Sequence, residues 1–132
     1  MSSVFTRIIK GEIPSYKVAE NEEFFAFLDI SPLAKGHVLV IPKKEIDYIF
    51  DIENELYGRL FVFAKQVAHA IEKVISCERI VISVVGLEVP HAHIHLIPIN
   101  SVQDMSFSKP RIEISSEEMN QLAESISSAF KA

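Results

Sequence analysis

The chain of 132 residues is 48% hydrophobic, with a formal net charge of −5 and a single cysteine. That length suits one domain with its own core. The acidic balance argues against a protein that wraps nucleic acid, and the lone Cys77 excludes an internal disulfide framework and fits a reducing compartment. No apolar run approaches the roughly 18 residues of a membrane span. "MSSVFTRIIKGEIPS" meets charge and proline too early for a secretory signal. The expectation is a cytoplasmic domain without a membrane partner.

In chain order, Val4, Phe5, Ile8 and Ile9 form a short apolar turn, stopped by Gly11 and Pro14. "YKVAE" and "FFAFLD" read as two strands around the polar turn "NEE". "SPLAKG" is a loop, "HVLVIP" a third strand closed by Pro42, and "KKEIDYIFDI" an irregular stretch. From about Glu53 to Ile75 the pattern turns helical: Leu56, Leu60, Phe63, Val67, Ile71 and Val74 recur at steps of three and four. Tyr57, Phe61, Ala64, Ala68 and Ile75 widen that stripe beyond what one core face needs. The helix is either deeply buried or packed on both its own sheet and a second subunit.

"RIVISVVG" reads as a fourth strand and "HAHIHLIPI" as a fifth. "NSVQDMSFSKP" is loop, and Ser115 with Glu118 forms a capping box opening a last helix. In that helix Met119, Leu122, Ala123, Ile126, Ala129 and Phe130 make one apolar face. Neighbouring strands joined by short turns suggest an antiparallel sheet. The expected fold is therefore α+β: an antiparallel five-stranded sheet with a long central helix and a C-terminal helix.

"PHAHIHLIPI" carries the chemistry. Side chains alternate along a strand, so His91, His93 and His95 share one face at successive distances of about 6.5–7 Å, while Ala92, Ile94 and Leu96 share the other and belong to the core. Three imidazoles on one face need a reason, because each buried nitrogen must be satisfied. A structural cluster is one reading. A metal site is a second, since imidazole is a common neutral ligand, although the outer pair is about 13 Å apart on a straight strand. Covalent catalysis is a third: a neutral imidazole attacks phosphorus while its neighbours donate hydrogen bonds to the phosphoryl oxygens. A nucleotide-binding module without turnover is the fourth. The four glycines are scattered, so no Gly-rich phosphate loop is present.

"HAHIHLI", with "VFTRIIKGEIPSYKV" and "FFAFLDISPLAKGHVLVIPKKEI" in the same order, resembles the histidine triad (HIT) family. The resemblance runs from Val4 to Ile99. It implies a HIT domain over 4–99; residues 100–132 are expected to form a C-terminal loop and helix packed on the same domain. It implies a nucleotide hydrolase or transferase that needs no metal or other cofactor and acts on a nucleoside 5′-monophosphate derivative, most simply a purine phosphoramidate. By this resemblance His93 is the nucleophile, His95 binds the phosphoryl oxygens, His91 orients its neighbours and His37 lies against the triad. Asp29 would hold the ribose hydroxyls, or simply cap the turn at "DISP". Phe5, Ile8, Phe27 and Ile30 would wall the base. The resemblance also implies a homodimer through the 53–75 helix and the 79–86 strand.

The chain departs from the family pattern in "SVVGLEVPH". Related branches carry a longer Gly-rich loop here, with a Gln and then a Ser or Thr that hydrogen-bond the phosphate. In this chain the Gln is absent, Glu88 stands in place of the hydroxyl, and Ser83 is the nearest substitute for a strand Asn. Glu88 is either a solvated loop residue or a general acid toward an amine leaving group. His69, Lys43 and Lys44 read as surface residues. The tail, with "QDMSF", is also unlike the short Hint-type ending, which approaches the partner subunit's site.

Overall fold

A computed structural model describes residues 2–132. The elements are α1 (Val4–Ile9), β1 (Lys17–Glu20), β2 (Phe24–Leu28), β3 (Val38–Pro42), α2 (Asn54–Val74), β4 (Arg79–Ser83), β5 (Ile94–Ile99) and α3 (Ser116–Ala129), with single 3-10 turns at Ile49–Asp51 and Val102–Met105. The strands form one antiparallel sheet in the order β1-β2-β3-β5-β4. This is the α+β architecture expected from the sequence.

Alternation along the central strands divides the core in two. Phe24, Ala26 and Leu28 of β2, Val38 and Val40 of β3, and Ile94 and Leu96 of β5 face one cluster with Leu60, Phe63, Val67 and Ile71 of α2 and Met119, Ala123 and Ile126 of α3. Phe25 and Phe27 of β2 and Leu39 and Ile41 of β3 face a smaller cluster closed by Phe5, Ile8 and Ile9. β2 and β3 are thus buried on both faces, unlike the half-exposed strands usual in antiparallel sheets. Burying a side chain such as Leu60 or Ile71 completely contributes roughly 1.5–3 kcal/mol.

Local chemistry sets the element ends. The residues read as a short apolar turn form a true helix, because the Ser3 hydroxyl caps it by accepting from the Thr6 N–H at 3.0 Å. Glu53 caps α2 by accepting from the Leu56 N–H at 2.8 Å. Of the capping box expected for α3, the Ser115 hydroxyl accepts from the Glu118 N–H at 3.1 Å. Glu118 does not reach back; its carboxylate pairs with Lys35 instead. Gly36 ends the β2–β3 loop at φ +90°, and a Cβ there would come within 2.8 Å of Ile75. Only glycine allows this turn, which delivers His37 to the start of β3.

One sequence expectation is corrected. The fifth strand begins at Ile94, not at His91, so His91 and His93 lie in the irregular approach to β5. Ala92 pairs by its amide with the Ile46 carbonyl at 2.7 Å, which draws that approach away from the sheet ladder. No described helix is long and apolar enough to cross a membrane.

Candidate active site

The second face of the sheet carries a cleft of about 530 Å3. Phe5 and Ile8 of α1, Phe27 of β2, Asp29, Ile30, His93 and His95 all line it, together with Leu39, the 85–89 loop, Phe107 and Arg111. Phe5 meets Phe27 edge-on at 5.5 Å between ring centroids and meets His93 at 4.9 Å. The apolar walls thus run directly up to the imidazoles. Ile30 stands at the rim, 78% exposed.

His91 and His37 do not line the cleft; both are buried behind it. The rings of His93 and His95 are 5.0 Å apart between centroids, closer than a regular strand would set them, because the backbone before Ile94 is not extended strand. Val38 pairs with Leu96 and Leu39 with His95. His37 therefore falls on the diagonal to His95 on the same face of the sheet.

Backbone atoms determine where each ring carries its proton. The Leu33 N–H donates to His37 Nδ1 at 3.0 Å, so the neutral His37 holds its hydrogen on Nε2. That Nε2–H donates to His95 Nδ1 at 3.0 Å, which leaves the His95 hydrogen on Nε2. His93 Nδ1 lies 2.8 Å from the His91 carbonyl. A carbonyl only accepts, so Nδ1 is the donor and the neutral His93 keeps a lone pair on Nε2. His91 Nε2–H donates to the Pro42 carbonyl at 2.7 Å, and its Nδ1 accepts from the Ser3 hydroxyl at 2.8 Å. The cap of α1 thereby holds the first histidine.

Burial keeps the supporting rings neutral. It lowers the pKa of His37 to about 3 and that of His95 to about 4, and it lowers His91 as well. For Asp29 burial has the opposite effect and raises the carboxyl, although the Ser31 N–H partly offsets it. Of the two expectations for Asp29, the structure contains the turn cap. Its Oδ1 accepts from the Ser31 N–H at 2.8 Å, capping the turn, while Oδ2 lies 3.6 Å from His37 Nε2.

Asp29, His37 and His95 offer donor atoms within 4.8 Å of one another, but the set does not suit a cation. The Leu33 amide occupies His37 Nδ1 and obliges Nε2 to keep its hydrogen, so Nε2 has no lone pair to offer.

Several contributors are not legible as a motif. Glu45 accepts from the Ser3 N–H at 2.7 Å and from the Thr6 hydroxyl at 2.6 Å; the Thr6 hydroxyl, foremost, holds its carboxyl down to about 2. Phe107 meets His95 edge-on at 4.8 Å, so the "QDMSF" stretch reaches the site of its own chain. Arg111 donates from Nη1 to the Ser31 carbonyl at 2.7 Å. Glu88 is exposed on the cleft wall. Ser83 pairs with His95 across the ladder but does not line the cleft. His69 is exposed beside Glu72, and Lys43 pairs with Glu20.

The chain matches the HIT domain model over residues 10–102. It is 36% identical to adenosine 5′-monophosphoramidase hnt1 of Schizosaccharomyces pombe, over 99% of this chain and all of that one. Among solved structures it is similar to a HIT-like protein from Bartonella henselae, with TM-score 0.82 and 29% identity over 98% of this chain and 97% of that one. A zinc-bound histidine triad family protein from Mycobacterium smegmatis gives TM-score 0.83 and 26% identity, covering 98% of this chain and 93% of that one. With its cluster of imidazoles at the start of β5 and this match across most of its length, the chain belongs to the HIT domain family.

Proposed function

We propose that the protein hydrolyses nucleoside 5′-monophosphate derivatives through a covalent nucleotidyl-histidine, with a purine phosphoramidate as the favoured substrate. The observation that carries this reading is the 2.8 Å hydrogen bond from His93 Nδ1 to the His91 carbonyl. It reserves the Nε2 lone pair for the cleft and stabilises the positive charge that develops on the ring during attack. The name of the fission-yeast relative, an adenosine 5′-monophosphoramidase, points to the same substrate class.

In this mechanism the base lies between Phe5, Ile8 and Phe27, with Ile30 at its edge, and Asp29 accepts from the ribose hydroxyls. His93 Nε2 attacks the α-phosphorus, and His95 Nε2–H donates to a phosphoryl oxygen. The phosphorus–nitrogen bond of the substrate breaks, and the amine departs with a proton taken from solvent, which the water of the second step returns. Water then attacks the phosphorus, the bond to His93 breaks, and the nucleoside monophosphate leaves. Replacing His93 with Ala removes the nucleophile and is expected to lower turnover of an adenosine phosphoramidate by on the order of 10³-fold or more. Rapid mixing followed by intact mass measurement should show a transient nucleotidyl adduct in the wild type and none in the variant. Undiminished turnover by His93→Ala would sink the mechanism; binding of AMP with neither adduct nor turnover in the wild type would make the protein a binding module.

We also propose a homodimer through α2 and β4. The two sheet edges differ: β1 ends in Lys17 and Glu20, which pair with each other, whereas β4 presents Ile82 at 50% exposure. Charged edges resist pairing and apolar ones invite it. On α2 the half-buried Tyr57 and Phe61 pack against each other, 4.8 Å between ring centroids.

A further inference from the structure

The walls of the cleft carry an imbalance of charge. Asp29 and Glu88 bring two carboxylates, while Arg111 is its one cationic side chain among the described residues. The buried imidazoles of His37 and His95 are neutral near pH 7. The residues leading to the triad, Val84 to Pro90, include no hydroxyl or amide side chain. A phosphoryl group entering this cleft brings further negative charge and finds no cation on the catalytic strand.

Arg111 is built to meet it. Its Nη1 donates to the Ser31 carbonyl at 2.7 Å, and the guanidinium carbon lies 5.5 Å from the centroid of the Phe107 ring. Phe107 in turn packs edge-on against His95 at 4.8 Å. The Ile112 N–H donates to the Pro32 carbonyl at 3.0 Å, which ties the backbone beside Arg111 to the same loop as Ser31. A guanidinium has five N–H donors, and the Ser31 bond is the one that Arg111 makes to protein among the described residues. No described carboxylate lies within ion-pair distance of it. Its charge is therefore oriented and partly sheltered, and no carboxylate pairs with it directly, although it acts through space on the carboxyl of Asp29.

We propose that Arg111, carried on the segment between β5 and α3 and steadied by Phe107 and Ser31, binds the phosphoryl oxygens of the substrate and replaces the donors missing from the loop before the triad. The inference rests on the nucleotide reading above and assigns the recognition of phosphate to a part of the chain far from the histidine motif. A planar guanidinium suits this task because two of its N–H groups can address one phosphoryl group together. Phe107 and Arg111 then act as one unit, the ring holding the guanidinium on the His95 side of the cleft.

The test compares the affinities of AMP and adenosine for the wild type, Arg111→Met and Arg111→Lys by titration calorimetry. Arg111→Met should weaken AMP by on the order of 10- to 100-fold, the effect of losing hydrogen bonds from a charged group, and leave adenosine within two-fold. Arg111→Lys should recover part of the loss, and the salt dependence of AMP binding should flatten in Arg111→Met. If Arg111→Met binds AMP as the wild type does, or weakens AMP and adenosine equally, the inference is overturned while the nucleotide reading stands. A wild type that binds neither ligand overturns both.

Discussion

His37 donates from Nε2 to His95 Nδ1 at 3.0 Å, and the Leu33 amide decides which ring is the donor by occupying the other nitrogen of His37. Through this pair a backbone N–H in the β2–β3 loop sets the proton on the face of His95 that the mechanism needs. Replacing His37 with Ala frees His95 to adopt either tautomer. Turnover is expected to fall by on the order of 10-fold, in the range of an interaction worth about 1–2 kcal/mol. Steady-state kinetics with adenosine phosphoramidate check this, and an unchanged kcat would show that the pair is merely structural.

The same buried rings make stability depend on pH. In the unfolded chain the imidazoles take up protons as pH falls through 6.5; in the folded chain His95 does so near 4 and His37 near 3. Between those values the unfolded state binds more protons, so stability declines as pH falls. Thermal unfolding scans should show Tm roughly level above pH 6.5 and dropping from there to pH 4. His37→Asn should drop less steeply over that window. A Tm that stays level from pH 7 to pH 4 in the wild type would contradict the buried neutral state.

Ser3 has two tasks, capping α1 and donating to His91. Ser3→Ala should cost about 1 kcal/mol from the lost cap, with a further loss because His91 Nδ1 is left buried without a partner. Denaturant titration would measure the first effect, and a several-fold fall in kcat would reveal the second through the carbonyl that orients His93. Ser3→Thr keeps the hydroxyl and should restore most of both.

Asp29→Asn separates the turn from the ligand. The Asn side-chain oxygen can still accept from the Ser31 N–H, so thermal stability should change little. If the Asp29 carboxylate holds the ribose hydroxyls as proposed, AMP should bind the variant on the order of 10-fold more weakly. The 2′,3′-dideoxy analogue of AMP should be affected far less. Equal losses for both ligands would remove the ribose role.

Ile82→Glu places a charge on the exposed β4 edge. If α2 and β4 form the homodimer, the variant should elute as a monomer in size-exclusion chromatography with light scattering, while the wild type elutes as a dimer. A wild type that is monomeric at micromolar concentration would exclude this interface.

The elements of this fold were legible because their signals are local. The continuous apolar runs "FFAFL" and "VLVIP" and the three-four spacing from Leu56 to Ile71 are signals carried within a few residues. Strand alternation put His91, His93 and His95 on one side and Ala92, Ile94 and Leu96 in the core, and that division holds although the strand begins only at Ile94. "VFTRII" is too short to show a helical stripe, and only Ser3, bonded to both Thr6 and His91, makes it a helix end that matters.

What the sequence determined by itself is the sheet, the central helix and a face of imidazoles with its nucleophile candidate. Which nitrogen of each ring holds the proton was decided only by the tertiary structure, through the Leu33 amide and the carbonyls of Pro42 and His91. So was the meeting of Phe107 and Arg111 with His95 and Ser31, as many as 80 positions away in the chain. Periodicity specifies the direction in which a side chain leaves its own backbone. The atom it meets there depends on which distant segment the packing of the sheet brings alongside.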